Sequence, residues 1–335
     1  MDEARARWNS LAKPLGSLGL LEDAITQIAA LTGRADVDLS RRTLLVLCAD
    51  NGVAAQGVTQ TDSSVTAAVA CALGAGESTV CYMAQAAGCR VLPVDVGILN
   101  FPGAPGVLDR RVRNGTADMT RGPAMSREEC IRAIQAGLAL AKEQKELGVS
   151  ILATGEMGIG NTTTSSAAAA VLLNRPPVEL VGRGAGLSDA GLARKRAAVE
   201  RAIQINRPDP SDPVDVLSKV GGLDLAALCG VYLGGAKYCL PVLLDGFIST
   251  VAALCAVRLW PEAEKALIAS HVSAEPAGAT VLEALGKKPL ITAGMRLGEG
   301  SGAVAALPLL DMALAVYHSG HTFGKMGMEP YTPQH

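Results

Sequence analysis

The sequence predicts an α/β fold in which a mostly parallel sheet is flanked by helices. Three observations predict it. Short apolar runs of strand length recur along the chain, and most end in a small polar cluster. Segments of helical character lie between them, some with cap signatures at their ends. The core material is aliphatic: hydrophobic residues make up 49% of the chain and aromatics only 3%, which favours close helix–sheet packing through Ala, Leu, Val and Ile. Strands alternating with helices read as βαβ units, and ligands of such sheets bind beyond the carboxyl ends of the strands.

The elements follow in order. Residues 18–33 carry Leu21, Ile25, Ile28 and Leu31 at amphipathic helical spacing. The run 43–49 is a strand that meets Asp50-Asn51-Gly52, and the run 90–94 is a second that meets Asp95-Val96-Gly97. Ser126-Arg127-Glu128-Glu129 is a capping box opening a helix that Gly148 closes. A third strand, 149–154, runs into Gly155-Glu156 and then into an Ala-rich helix near 165–173. Ser188-Asp189 opens a helix that carries Lys195 and stops before Pro208. Leu243-Leu244 meets Asp245-Gly246, and 267–270 meets His271-Val272-Ser273. A last helix spans 303–324 around Leu307, Leu310 and Leu314. The two end helices can pack as a small helical domain, giving the division 1–34 and 301–335 for that domain and 35–300 for a large α/β nucleotide-binding domain. A chain of 335 residues suits one large domain plus a smaller one.

Composition narrows the partner. A net charge of −2 from 30 basic and 32 acidic residues, with no long run of one sign, argues against nucleic acid and against a polybasic membrane surface, and so points to a small molecule. The hydrophobic stretch 225–260 is interrupted by Lys237 and Asp245, and what remains is shorter than the roughly 20 residues a membrane span needs. The charged start Met1-Asp2-Glu3-Ala4-Arg5 lacks a signal-peptide apolar region, so a cytoplasmic location is expected. The eight cysteines form no C-x-x-C pair and read as buried free thiols.

Several segments can carry chemistry. Thr154-Gly155-Glu156-Met157-Gly158-Ile159-Gly160-Asn161-Thr162-Thr163-Thr164 follows a strand and leads into a helix. Glycines allow backbone N–H groups close to an anion, and a helix N-terminus favours negative charge, so a phosphate fits there; a tight strand-to-helix turn is the alternative. The G-x-G-x-x-G spacing of dinucleotide folds is absent. Lys195, in Ala193-Arg194-Lys195-Arg196, is either a cation for the same phosphate or part of a solvated helix face. Glu299 stands in Gly298-Glu299-Gly300-Ser301-Gly302, just ahead of an apolar helix. With so little neighbouring bulk its carboxylate can face a ligand, and partial burial would raise its pKa toward the range of a general base; stabilisation of a helix start is the alternative. His271, Ser273 and Glu275 occupy a strand end and serve either binding or a buried network. His318 and His321 read as a surface pair without a third metal ligand.

In order, these segments resemble the nicotinate-nucleotide:dimethylbenzimidazole phosphoribosyltransferase family over nearly the whole chain. The resemblance rests on Lys13-Pro14-Leu15-Gly16-Ser17-Leu18-Gly19, Asp50-Asn51-Gly52-Val53, Val94-Asp95-Val96-Gly97, the run 155–163, Ser270-His271-Val272-Ser273-Ala274-Glu275-Pro276 and Arg296-Leu297-Gly298-Glu299-Gly300. It implies a Rossmann-like sheet with a small helical domain from both chain ends, forming a homodimer or a heterodimer with a paralogue. It implies nicotinate mononucleotide and an aromatic acceptor as partners, with neither metal nor redox cofactor. By motif, Glu299 corresponds to the catalytic base, Glu156 to the glutamate of the glycine loop, and Lys195 to the lysine after it. Gly158, Asn161 and Thr162 would line the phosphate and ribose, Ser273 and Gly302 would lie near the nicotinate, and Gly160 and Leu297 complete the implied substrate-binding set. The implied product is an α-ribotide, with Glu299 removing the ring N–H proton of the benzimidazole. Segments 57–68 and 275–278 depart from the pattern of benzimidazole-using members. They leave another azole, a purine or a phenol open as acceptor, with dimethylbenzimidazole the default.

Overall fold

The structure is a computed structural model that describes residues 1–332. Six strands form one wholly parallel sheet: β1 (Arg42–Ala49), β2 (Arg90–Gly97), β3 (Leu108–Asp109), β4 (Ile151–Met157), β5 (Val242–Leu244) and β6 (Leu267–Ala269), in the order β3-β2-β1-β4-β5-β6. This is the strand order of dinucleotide-binding folds, with its switch point between β1 and β4. Both faces of the sheet are covered. Along β1, Leu45, Leu47 and Ala49 join one core, while Leu44, Val46 and Cys48 join the other. Alternate residues of a strand point to opposite faces, so a strand buried on both sides reads as an unbroken apolar run.

Chain order supplies the helices α1 (Asp2–Ser10), α2 (Leu20–Thr32), α3 (Ser64–Ala75), α4 (Thr79–Ala86), α5 (Arg127–Glu146), α6 (Asn161–Leu173), α7 (Pro177–Leu180), α8 (Asp189–Asn206), α9 (Pro213–Val220), α10 (Leu223–Lys237), α11 (Phe247–Leu259), α12 (Gly278–Ala284) and α13 (Ser301–Tyr317). The capping box of α5 is complete: Ser126 Oγ accepts from Glu129 N–H, and the Glu129 carboxylate accepts from Ser126 N–H. Ser188 caps α8 by accepting from Gly191 N–H. Helices α1, α2 and α13 share one apolar core with α3, α4 and the second face of the sheet. Within it the Trp8 and Tyr317 rings lie 4.9 Å apart and join the two chain ends.

Three expectations change. The helix placed at 303–324 begins at Ser301 and ends at Tyr317, where His318 turns away to bond the Val37 carbonyl through Nε2 and the Arg7 guanidinium through Nδ1. The third strand runs on through Met157, because Gly155, Glu156 and Met157 pair with Val46, Leu47 and Cys48 of β1. The helix after the glycine loop starts at Asn161, four residues before the Ala-rich run. The stretch Ser64–Ala86 is apolar and long enough to cross a membrane, but it is two helices, α3 and α4, broken at Gly76. All eight cysteines are free; Cys71 and Cys239 are exposed and the rest are buried.

Candidate active site

Beyond the carboxyl ends of β4, β5 and β6 lies a cavity of about 390 Å³. The end of β4 brings Glu156 to it, and the turn into α6 brings Gly158, Gly160, Asn161 and Thr162. The ends of β5 and β6 bring Asp245, His271 and Ser273, and the segment before α13 brings Leu297 and Glu299. Val58, Val65, Val69 and Met157 supply apolar wall. Apolar walls with a few convergent polar groups are the usual make-up of a small-molecule site.

One part of the wall has the chemistry that suits an anion. Gly160 takes a left-handed φ of 94° and starts α6, so the first turn of that helix opens toward the cavity. Lys195 is 1% exposed and sends its ammonium from α8 to Thr162 Oγ1 at 2.8 Å. A Cβ on Gly184 would stand 3.0 Å from Thr162 Oγ1 and 3.4 Å from Lys195 Nζ, so the 183–186 turn closes over the same two groups. Burial pushes the Lys195 ammonium down to about 8, with Glu275 acting in the opposite sense. With Thr162 as its one hydrogen-bond partner and Glu275 as the nearby carboxylate, the ammonium keeps donors that a bound phosphate would take up.

A second part is acidic. Asn161 Nδ2 donates both to Glu156 Oε2 and, at 3.1 Å, to Asp224 Oδ2. Burial raises Glu156 well above the ordinary carboxylate range, and the neighbouring Asp224 and Asp245 add to it. Burial likewise pushes Asp224 up to about 7. Asp245 accepts from Gly302 N–H at 2.7 Å, Gly300 N–H at 3.2 Å and Ala303 N–H at 3.3 Å, so it holds the start of α13. Its Oδ1 also lies 3.8 Å from His271 Nδ1.

Glu299 sits on the turn that Asp245 fixes. Gly298, Glu299 and Gly300 have φ values of 83°, 58° and 87°, three left-handed residues in succession. Glycine accepts that conformation freely, whereas Glu299 is strained there by its Cβ. The turn presses on β4: a Cβ on Gly155 would stand 2.3 Å from Gly300 N. The Glu299 carboxylate thus reaches the cavity from a turn fixed at several points.

Eight of the ten residues singled out from the sequence line this one cavity: Glu156, Gly158, Gly160, Asn161, Thr162, Ser273, Leu297 and Glu299. Lys195 reaches it through Thr162. Gly302 is elsewhere: it lies buried behind the His271 ring, where a Cβ would meet Nδ1 at 1.8 Å, and it does not line the cavity. His271 itself lines the cavity and is 4% exposed. His318 and His321 are exposed and lie outside the cavity. The sequence alone does not mark Asp224, Asp245 or Ser78 as site residues. Asp224 reads there as an ordinary acid in a first helical turn, and Asp245 as one more polar strand end.

A family model described as phosphoribosyltransferase matches residues 1–328. A protein of Ruminiclostridium cellulolyticum named nicotinate-nucleotide–dimethylbenzimidazole phosphoribosyltransferase is 46% identical over 333 residues, covering 99% of this chain and 95% of the relative. A protein of the same name from Acetivibrio thermocellus is 45% identical over 334 residues, covering 100% and 95%. Among solved structures, CobT from Thermus thermophilus superposes with a TM-score of 0.92 at 43% identity, covering 98% of each chain.

Proposed function

From the premise that this chain belongs to the phosphoribosyltransferase family of those relatives and is a pentosyl-transferring enzyme, we propose that it moves the 5-phosphoribosyl group of nicotinate mononucleotide to 5,6-dimethylbenzimidazole. The products are an α-ribotide and nicotinate. The observation that carries the reading is the convergence of a carboxylate, Glu299, and an anion pocket, Thr162 with Lys195, on one cavity.

The chemistry needs little else. The pyridinium nitrogen of the donor already bears positive charge, so nicotinate leaves as a neutral ring without the general acid that glycosidases use. Glu299 takes the N–H proton of the acceptor ring as its other nitrogen attacks the anomeric carbon. The glycosidic bond to nicotinate breaks and the configuration inverts from β to α. Lys195, Thr162 and the first turn of α6 hold the phosphate, the apolar wall receives the flat acceptor, and holding both reactants in one cavity lowers the barrier through orientation. Burial favours the protonated form of Glu156, which suits it to donate a hydrogen bond to the sugar rather than to act as a second base.

The test incubates the protein with nicotinate mononucleotide and a panel of benzimidazoles, purines and phenols, following free nicotinate and the new nucleotide. Dimethylbenzimidazole is expected to give product; absence of product with every acceptor would end the transferase reading. Glu299→Gln should nearly abolish turnover while nucleotide binding, measured by calorimetry, persists.

A further inference from the structure

Glu299 is also held from behind, by a residue outside the cavity lining. Ser78 stands at the N-cap of α4 with the extended backbone of that position, φ −72° and ψ 157°. A serine there ordinarily turns its hydroxyl to a backbone N–H in the first turn of its own helix, as Ser126 and Ser188 do for α5 and α8. Ser78 makes no such cap bond. Its Oγ donates instead to Glu299 Oε2, 221 residues away in sequence. The hydroxyl is nearly buried, at 8% exposure.

We propose that Ser78 is a positioning residue for the base. Its hydroxyl ties Oε2 and leaves Oε1 as the oxygen that takes the acceptor's proton. The arrangement explains how a left-handed glutamate keeps one side-chain direction: Asp245 anchors the backbone that follows it, and Ser78 anchors the carboxylate. A hydroxyl bonded to one carboxylate oxygen fixes the direction of the other, and a base that must meet a held acceptor needs a fixed direction. The inference rests on the reading of Glu299 as the base.

The other titratable and charged groups around Glu299 are Cys81 on α4, Glu156 on β4, Asp245 and His271 beyond β5 and β6, and Arg296 on its own segment. Of these groups only Glu299 receives a hydrogen bond from Ser78. Removing that donor therefore acts on Glu299 directly and frees its carboxylate to turn.

The experiment measures kcat, the KM for nicotinate mononucleotide and the melting temperature for the full chain as wild type, Ser78→Ala, Ser78→Thr, Glu299→Gln and the double variant Ser78→Ala/Glu299→Gln. Ser78→Ala is expected to lower kcat about tenfold while the KM for nicotinate mononucleotide stays near the wild-type value. Its melting temperature should fall by no more than a few degrees, since one hydrogen bond is lost and no cap bond is. Ser78→Thr keeps the hydroxyl and should restore kcat, and Ser78→Ala should add nothing in the Glu299→Gln background. Wild-type turnover by Glu299→Gln would remove the base and this inference with it. An inactive Glu299→Gln beside a Ser78→Ala enzyme with wild-type kcat leaves the base standing and overturns the role of Ser78. So does a loss in Ser78→Ala that tracks a lower melting temperature and is not rescued by threonine.

Discussion

Gly155→Ala isolates the placement of Glu299 from every group that touches substrate. Gly155 lies within β4, opposite Val46 of β1, in the middle of the sheet. A Cβ there would stand 2.3 Å from Gly300 N, 2.4 Å from the Glu299 carbonyl carbon and 2.6 Å from its oxygen. Ordinary contact begins at 3.4 Å, so the nearest approach is short by 1.1 Å, and all three opposing atoms are backbone. A central strand bonded on both sides yields less than a turn, so the 298–300 turn must move, by about 1 Å. Misplacing a reacting group by about 1 Å costs roughly 100-fold in rate. Overpacking of this kind also lowers stability by about 1–3 kcal/mol. Thr162 and Lys195 belong to α6 and α8, so the phosphate pocket keeps its shape. The assay follows nicotinate release under saturating acceptor, with a thermal melt to establish that the variant is folded. The expected result is kcat down about 100-fold with the KM for nicotinate mononucleotide nearly unchanged. A folded Gly155→Ala enzyme with wild-type kcat would refute the argument that this contact sets the position of Glu299.

Two further predictions concern buried charge. The Lys195 ammonium is pushed down from 10.5 to about 8, so the unfolded chain holds that proton more tightly and stability rises with pH between about 8 and 10.5. Lys195→Met should therefore stabilise the ligand-free protein by up to about 3 kcal/mol near neutral pH in denaturant titrations, while raising the KM for nicotinate mononucleotide at least about tenfold. It should also abolish the wild-type rise of that KM above about pH 8, where Lys195 loses its proton. Asp224 is displaced the other way for an acid, from 3.8 to about 7, so its contribution to stability is fully present below about pH 4 and is lost as pH rises through about 7. Asp224→Asn should match the wild type in stability near pH 4 and exceed it by about 2–4 kcal/mol near pH 8. An equal difference at both pH values would show that Asp224 titrates alike in the folded and unfolded chain and would refute the shift.

Much of the fold is legible in the sequence because its signals are local. The unbroken apolar run of β1 announces a strand buried on both faces, and Ser126 with Glu129 announces the start of α5 within four residues of chain. What the sequence conceals depends on partners distant along the chain. Gly155-Glu156 reads as turn chemistry, yet pairing with Val46 and Leu47 of β1 draws both into β4. The helix expected to reach 324 stops at Tyr317, where His318 finds Val37 and Arg7 near the other end of the chain. The site divides in the same way. Glu299 and the glycine loop stand out by their own neighbours, whereas Asp224 acquires its role only where Asn161 reaches it and Ser78 only where its hydroxyl meets Glu299.

The glycines of the loop take on a different meaning in three dimensions. In sequence they suggest backbone made bare for a phosphate, but two of them are bare for other parts of the protein. Gly155 admits the Glu299–Gly300 backbone, and a Cβ on Gly158 would meet the Ala49 carbonyl oxygen at 2.2 Å, where the ends of β1 and β4 diverge at the switch point. The 183–186 turn, not the glycine loop, supplies the glycine nearest the buried ammonium, Gly184. On the proposed function, anion binding falls to the first turn of α6, Thr162 and Lys195, while the loop's small residues let β1, β4 and the Glu299 turn pack within backbone contact of one another. Such packing fixes the distance between base and phosphate pocket without any side chain spanning it. An alanine at Gly155 or Gly158 should therefore damage kcat before it damages nucleotide binding, the reverse of what a loop built only to cradle phosphate would give.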